Sequence, residues 1–503
     1  ASSVIESHHY RADIDGLRAL AIVPVVLFHA GVPGFGWGFV GVDVFFVISG
    51  YLITSIIERE IRSGQFSLLR FYERRVRRIL PALFAVLFAS ALIGSFLLYP
   101  TEARGFARSL IAATLFVSGF LFRRESGYFD LDAELKPLLH TWSLSVEEIF
   151  YIVFPPLLLF SWHRFREHRE LAIVALAGLS FAASVIILHH DAASRSAFFL
   201  PHFRAWEFLI GALIALAPMR LGARGAIPSV VAALGLCLIL VSVLAYSERT
   251  RFPGLAALAP CVGAALVIVA GQRRPSLVGR LLAQRPIVFL GLISYSLYLW
   301  HWPILVFTRH ALGRAPAPGE LGLMIAGSLV VAFLSWRYIE RPFRGKSGRL
   351  GRPALFAAAG VMASLLIGIG IQGELTGGWL GRYPSELATI LASADDYDPR
   401  RRECLGIRSD ASGCLYGQEG ARPTLALWGD SHAAAYSVML GELAAERGSA
   451  VLAMTMPACP PLRDWQLEGQ RWRDACALFQ RRAWQRISDN PSIHTVVLAA
   501  HLV

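Results

Sequence analysis

Twelve apolar runs punctuate the first three quarters of the chain, at residues 17–30, 39–57, 79–98, 106–122, 145–162, 171–188, 203–217, 229–246, 255–270, 287–307, 321–338 and 354–371. With their flanks they approach the ~20 residues that a helix needs to cross a bilayer. Barrel strands would instead show short alternating segments, so the pattern predicts an α-helical polytopic membrane protein. Beyond 372 the pattern changes. Residues 373–420 have weak periodicity and suit a linker or cap. TLALW, from Thr424, then reads as a strand entering a turn and an amphipathic helix, GDSHAAAYSVML. Further strands are expected at 450–453 and 495–500, which together predict an α/β domain with a parallel sheet.

Basic residues decide how many runs cross. Arg62, Arg70, Arg74, Arg75, Arg77 and Arg78 mark one cytoplasmic loop, and Arg164, Arg166 and Arg169 the next. Further clusters are Arg220 with Arg224, then Arg273, Arg274, Arg280 and Arg285. The last holds Arg337, Arg341, Arg344, Lys346, Arg349 and Arg352. Alternation fails only between 79 and 162, where three runs separate two cytoplasmic loops. The run at 106–122, interrupted by Arg108, is therefore expected to be re-entrant or to lie along the outer surface. About eleven transmembrane helices remain, with the N-terminus inside and everything after 371 outside. No cleavable leader is visible, so the first run serves as the anchor.

Composition agrees with this reading. Of 503 residues, 55% are hydrophobic and only 17% charged, against about 25% charged in soluble domains. Such a chain cannot cover a water-soluble fold, and disorder is excluded too. The net charge of +12 comes almost wholly from arginine, Lys136 and Lys346 being the lysines. Its clustering between apolar runs points to membrane topology rather than nucleic acid. No C-x-x-C pair or H-E-x-x-H occurs, so metal catalysis lacks a supporting constellation. Of six cysteines, Cys237 and Cys261 lie in apolar runs. The other four allow three pairings, and an oxidising compartment favours neighbours, Cys404 with Cys414 and Cys459 with Cys476.

Several spans carry polar groups that lipid would penalise. Arg18 and His29 are eleven steps apart, so both face one way, about 16 Å apart along a helix. An imidazole beyond mid-membrane is a functional candidate by default, although a neutral histidine bonded between helices would look the same. Asp43 opens the second span. In HTWSLSVEE, His140 and Glu147 lie two turns apart with Ser143 between them. Ser145 and Glu148 fit an S-x-x-E capping box at the start of a span, an explanation Glu147 lacks. Arg204 and Glu207, one turn apart, are placed to pair with each other. His301 sits between Trp300 and Trp302, where a belt histidine is the plain alternative. At the inner face Arg75 and Arg78 are a turn apart just before a span. Positive-inside bias explains most of that run, yet two guanidinium groups also suit a phosphorylated ligand.

DGLRALAIVPVVLFHA, GFVGVDVFFVISGYLIT, RRVRRILPAL, LLHTWSLSVEEIFYI, RAWEFLIGA, ISYSLYLWHWPI and YIERPFR resemble, in order, the signature blocks of the acyltransferase 3 membrane family. The resemblance covers roughly residues 10–345. GDSH at 429–432 is similar to the first block of an SGNH-hydrolase-like domain. Bacterial fusions of the two O-acetylate surface carbohydrates such as lipopolysaccharide O-antigen, exopolysaccharide or peptidoglycan. The resemblance implies acetyl-CoA as cytoplasmic donor, an essential Arg18–His29 pair and a cytoplasmic R-x-x-R at Arg75 and Arg78. Coenzyme A phosphates would lie near Arg75, Arg78 and Arg18, and its thioester toward His29. His29 would act as base or transient acyl carrier, with Glu147 orienting the imidazole. It further implies the bacterial cytoplasmic (inner) membrane, a periplasmic C-terminal domain, and a glycan acceptor and membrane lipid as partners. The expected divisions are 1–345 for the membrane domain, 346–372 for a linking helix, 373–420 for a periplasmic linker or cap, and 421–503 for the start of the SGNH-like domain.

A serine at the turn from strand to helix projects from the carboxyl end of a sheet, and free helix N–H groups could stabilise an oxyanion there. Asp430 and Ser431 are also ordinary helix caps. A nucleophilic serine needs a base, which the SGNH family supplies from a late D-x-x-H. None follows Ser431 within these residues, and His494 and His501 are poor substitutes by motif, so an incomplete domain is expected. A transporter or acyl exporter with a binding-only external domain is the rival expectation. It would not consume acetyl-CoA.

Overall fold

The computed structural model describes residues 10–125, 135–164, 168–190, 194–217, 226–246, 250–272, 276–344, 350–393, 397–405, 413–462 and 473–501. Arg166, Arg220, Arg224, Arg273, Arg274, Lys346 and Arg349 of the expected loops lie outside them. The chain divides into two compact units between Arg382 and Tyr383.

The first unit is helical: α1 (Ala12–His29), α2 (Gly41–Arg62), α3 (Leu68–Leu97), α4 (Pro100–Thr114), α5 (Ser118–Arg124), α6 (Thr141–Arg164), α7 (Arg169–His190) and α8 (Arg195–Phe199). It continues with α9 (Pro201–Leu216), α10 (Ile227–Ala245), α11 (Leu258–Ala270), α12 (Leu277–Leu282), α13 (Arg285–Leu312), α14 (Pro318–Ser335), α15 (Arg341–Arg344) and α16 (Arg352–Leu375). Among the described residues, eight helices are long and apolar enough to cross a membrane: α2, α3, α6, α7, α10, α13, α14 with its continuation, and α16. Of the other expected crossings, α1 has 18 residues, α9 16 and α11 13. Large apolar side chains such as Phe96, Phe160, Leu179, Leu323 and Val361 face outward, a surface that lipid covers without penalty.

The run at 106–122 does not form one span. It breaks into α4 and α5 around Phe116, whose φ of 56° is in the left-handed region, and neither piece reaches the ~20 residues a crossing requires. Two other boundaries differ from expectation. Helix α3 starts at Leu68, capped by Ser67, whose hydroxyl accepts from the Arg70 amide. Arg75 and Arg78 therefore lie within the helix rather than before a span, because the charged stretch is itself helical and carries an i,i+4 pair, Arg77 to Glu73 at 2.9 Å. Helix α6 starts at Thr141, so Ser145 is interior and the S-x-x-E capping box does not exist. Its hydroxyl instead donates to the Phe116 carbonyl at 2.6 Å.

Small residues set the spacing of the helices that carry polar groups. A Cβ on Gly50 of α2 would lie 1.9 Å from the Phe208 carbonyl oxygen of α9, and one on Gly211 of α9 2.1 Å from that of Val47. Only glycine allows such backbone approach. Helices α1 and α13 run in the same direction: Asp15 backs onto Gly291, and His29 meets His301 further along.

The second unit holds α17 (Ser385–Ala392), α18 (Arg401–Cys404), β1 (Cys414–Gly417), β2 (Pro423–Gly429), α19 (Ser431–Ala435), α20 (Ser437–Ala445), β3 (Ala450–Thr455), α21 (Arg473–Ser488) and β4 (Thr495–Ala499). The sheet order is β1-β3-β2-β4. The three expected strands pair in parallel, and β1 adds an antiparallel edge. The sheet thus begins at Cys414, ahead of the expected boundary at 421. Both expected disulfides form, Cys404–Cys414 and Cys459–Cys476. Tyr416 donates to Asp398, and burial together with that carboxylate pushes the Tyr416 hydroxyl up from its ordinary value.

Candidate functional site

Polar groups inside the helical unit fall into three clusters. The first is a cavity of about 290 Å³ lined by Arg18 of α1, Ser49 of α2, Arg75 and Arg78 of α3, Ser143, Glu147 and Tyr151 of α6, and Tyr295 and Tyr298 of α13. Arg18, Leu52 and Arg78 also line a wider vestibule of about 790 Å³, whose wall includes Arg11, Arg70, Arg74, Arg77, Arg344 and Arg352. Several of these arginines are paired: Arg18 with Asp15 at 3.1 Å, Arg74 with Glu60 at 2.9 Å, Arg352 with Glu73 at 2.7 Å. Arg344 pairs with Glu340, whose carboxylate also accepts from Ser296 at 2.7 Å. Among the described residues, Arg75 and Arg78 have no ion-pair partner. The Arg75 guanidinium lies 5.7 Å from the Phe71 and Tyr151 rings, and its buried Nε lacks a hydrogen-bond partner. So does the buried Glu148 Oε1. Buried polar groups without a partner call for a physical explanation, and of these two Arg75 lines the cavity.

Glu147 belongs to this cavity. It accepts from Ser49 at 2.5 Å and from Tyr151. The expected orientation of His29 by Glu147 is therefore not what the packing produces. Tyr298 closes the cavity at its far end, 2.5 Å from Ser143 and donating to the His140 carbonyl at 2.7 Å.

Beyond Tyr298 stand three imidazoles, His29 of α1, His140 just ahead of α6 and His301 of α13. His29 is half-buried, and its Nδ1 lies 2.9 Å from His301 Nε2, with the two ring planes 15° apart and 5.1 Å between centroids, so the imidazoles meet edge to edge. Trp302 meets the same ring edge-on at 4.5 Å, and Arg309 donates to the His29 carbonyl at 2.7 Å. His301 is fully buried, with Nδ1 3.0 Å from the Leu297 carbonyl, so the belt reading of this histidine fails. The His140 ring centroid is 6.0 Å from that of His301, and both His140 nitrogens are buried without a hydrogen-bond partner.

The third cluster is Asp43, Arg204 and Glu207, each at most 1% exposed. Arg204 donates to Asp43 at 2.8 Å, and its Nε is 3.1 Å from Glu207, the pairing its spacing implied. Phe46, Trp142, Phe198 and Phe252 surround the guanidinium. Asp43, Glu207 and Cys261 bring potential ligand atoms within 4.8 Å of one another. Arg204 already supplies their counter-charge, so the cluster reads as a buried ion network and not as a cation site.

In the second unit Ser431 follows β2 at the carboxyl end of the sheet. Asp430 is held structurally: Oδ1 accepts from the His432 amide at 2.8 Å and Oδ2 from the His501 amide at 2.9 Å. The His432 ring lies against that of His501, with 5.3 Å between centroids. No described histidine is hydrogen-bonded to Ser431.

Sequence reasoning missed Ser49, Tyr151, Tyr298, Asp15 and Glu340. Tyr151 and Asp15 were findable, being i+4 from Glu147 and i−3 from Arg18. Ser49 and Tyr298 reach the cavity from other helices and carry no local signal.

Residues 11–337 match the acyltransferase domain family, and residues 398–503 match the SGNH domain that is fused to such domains. The chain is similar to O-acetyltransferase OatA of Staphylococcus aureus, 31% identical over 354 residues, covering 68% of this chain and 58% of the relative. The putative peptidoglycan O-acetyltransferase YrhL of Bacillus subtilis is 31% identical over 363 residues, covering 68% and 56%. Peptidoglycan O-acetyltransferase OatA of Listeria monocytogenes is 32% identical over 354 residues, covering 67% and 56%. The match thus spans little more than half the length of these relatives. No solved structure matches the chain.

Proposed function

This chain belongs to the acyltransferase 3 family, with that family's fused SGNH domain, and from there we propose that it transfers an acetyl group from cytoplasmic acetyl-CoA to a hydroxyl of an extracytoplasmic glycan such as peptidoglycan. The observation that carries the reading is the stepped cavity. A wide arginine-walled vestibule narrows at Arg18 and Arg78 into the inner cavity, which ends at Tyr298 against the imidazole cluster. Phosphates need arginine, a thioester needs a base, and only a long thin arm joins sites about 16 Å apart on α1.

The vestibule faces the cytoplasm in this reading, following the arginine clusters. Arg75, Arg78 and Arg18 hold the donor's phosphates. The pantetheine arm enters the inner cavity and displaces the Tyr298–Ser143 contact to reach His29. There His29 Nε2 takes the proton of the attacking hydroxyl as the oxygen–carbonyl bond forms. The carbon–sulfur electron pair leaves on sulfur, and His29 returns the proton to it. Ester and thiol both leave neutral. Ser431 offers a hydroxyl in the second unit for onward transfer to the glycan.

The test uses purified protein in proteoliposomes, with acetyl-CoA on the vestibule side and soluble peptidoglycan fragments opposite. Free thiol release and acetyl esters on the fragments, read by mass spectrometry, are expected to appear together. His29→Ala is expected to lose both by roughly 10²–10⁴-fold, the usual worth of a general base. Transfer at the unaltered rate by that variant overturns the role of His29. Acetyl passage without thiol release overturns the transferase reading in favour of an exporter.

A further inference from the structure

Among the described residues, the hydrogen bonds around His301 leave only one consistent arrangement of protons on the neutral pair. Its Nδ1 is 3.0 Å from the Leu297 carbonyl oxygen. A carbonyl only accepts, so Nδ1 carries the hydrogen. A neutral imidazole has one N–H, which makes Nε2 of His301 a bare acceptor. The nitrogen 2.9 Å from it, Nδ1 of His29, must then be the donor. His29 is left with its lone pair on Nε2, and no described residue bonds that nitrogen. The chain runs from backbone carbonyl to His301 to the half-buried His29 and ends on its Nε2 lone pair.

We infer that His301 is a positioning residue: it fixes His29 in the tautomer whose Nε2 is free and shares the positive charge that appears when Nε2 gains a proton. The inference rests on the reading of His29 as the base. During transfer Nε2 gains the hydroxyl proton and later gives it to sulfur, while Nδ1–H keeps donating to His301. As His29 becomes cationic, that bond becomes charge-assisted, a class roughly twice as strong as neutral bonds. The other groups facing the pair make poor substitutes. Trp302 presents its ring, and its indole N–H goes to the Lys136 carbonyl. Arg309 is itself a cation and donates to the His29 backbone carbonyl. His140 is packed against His301 rather than hydrogen-bonded to His29. Tyr298 donates its hydroxyl to the His140 carbonyl.

The decisive comparison is His301→Phe against His301→Gln in the full chain. Phenylalanine keeps a ring beside His29 but removes the acceptor. Glutamine restores an acceptor oxygen without an imidazole. Nitrogen-15 spectra of histidine-labelled protein in lipid, with the His29 signals assigned by their loss in His29→Gln, report the tautomer without reference to activity. The unaltered protein is expected to show hydrogen on Nδ1 of His29. His301→Phe is expected to mix the tautomers and to lower kcat by roughly 10²–10⁴-fold, as for loss of a general base, with KM for acetyl-CoA unchanged within about threefold. His301→Gln is expected to hold the tautomer and to recover at least about tenfold over His301→Phe, one step of 1.36 kcal/mol. Should His301→Phe fail to fold, the spectrum of His301→Gln still decides. Hydrogen on Nε2 of His29 in the unaltered protein overturns the inference, as does unaltered kcat in His301→Phe. If the unaltered protein transfers no acetyl group, the reading of the function fails while the spectra still judge the pair.

Discussion

Replacing Arg78 by methionine separates donor binding from everything else the arginine-rich end does. Arg78 lines both the vestibule and the inner cavity. Among the described residues it pairs with no carboxylate, so its removal strands no buried charge. By contrast, Arg77 and Arg352 both hold Glu73. A hydrogen bond to a charged group is worth about 1.5–3 kcal/mol, and 1.36 kcal/mol is a factor of ten. If Arg78 grips a donor phosphate before and during the reaction alike, this contribution is uniform binding and falls on KM. Arg78→Met should then raise KM for acetyl-CoA by about 10–150-fold and leave kcat unchanged. Initial-rate measurements in proteoliposomes, following thiol release, give both constants. The control is S-acetyl-pantetheine, which carries the thioester but no phosphate. It should turn over equally poorly with either protein. An unchanged KM for acetyl-CoA refutes the reasoning, and so does an equal loss with the phosphate-free donor.

Two further outcomes concern stability. Arg204→Met leaves Asp43 and Glu207 buried without their counter-charge, at a cost of about 3–5 kcal/mol by the behaviour of broken buried pairs. Glu207→Gln leaves Asp43 and Arg204 balanced one to one and should lie within about 1 kcal/mol of the unaltered protein. Denaturant titration in detergent reads the difference, and the reverse ranking would show that the cluster is not held by charge balance. Joint replacement of Cys459 and Cys476 by serine opens a loop closed at a sequence separation of 17. It should lower the stability of the second unit by about 3 kcal/mol. An unchanged unfolding midpoint would mean that the cross-link contributes nothing there.

The chemistry was less legible than the architecture. Helical spacing put Arg18 and His29 on one face of α1, but the spacing contains nothing about His301, which arrives from α13. Glu147 was recognised as needing a purpose and was assigned the wrong one, since Ser49 stands beside it on a neighbouring helix. The S-x-x-E reading failed because residues 141–144 continue the helix toward its N-terminus, where a polar hydropathy pattern looks like a loop. Arg75 and Arg78 were placed ahead of a span for the same reason. Arginine in a helix with glutamate a turn away reads as loop by hydropathy, yet α3 extends through it.

What the chain determined by itself is what near neighbours along it decide: which stretches are apolar, how the second unit alternates strand and helix, and which cysteines lie close enough to join. Tertiary structure alone decided which polar groups meet. That choice depends on how closely α1 approaches α13 and α2 approaches α9, and the approach is set by glycines such as Gly291, Gly50 and Gly211, which in sequence are plain apolar positions. Periodicity is written locally, whereas the partner of a buried imidazole is fixed only when separate helices pack together.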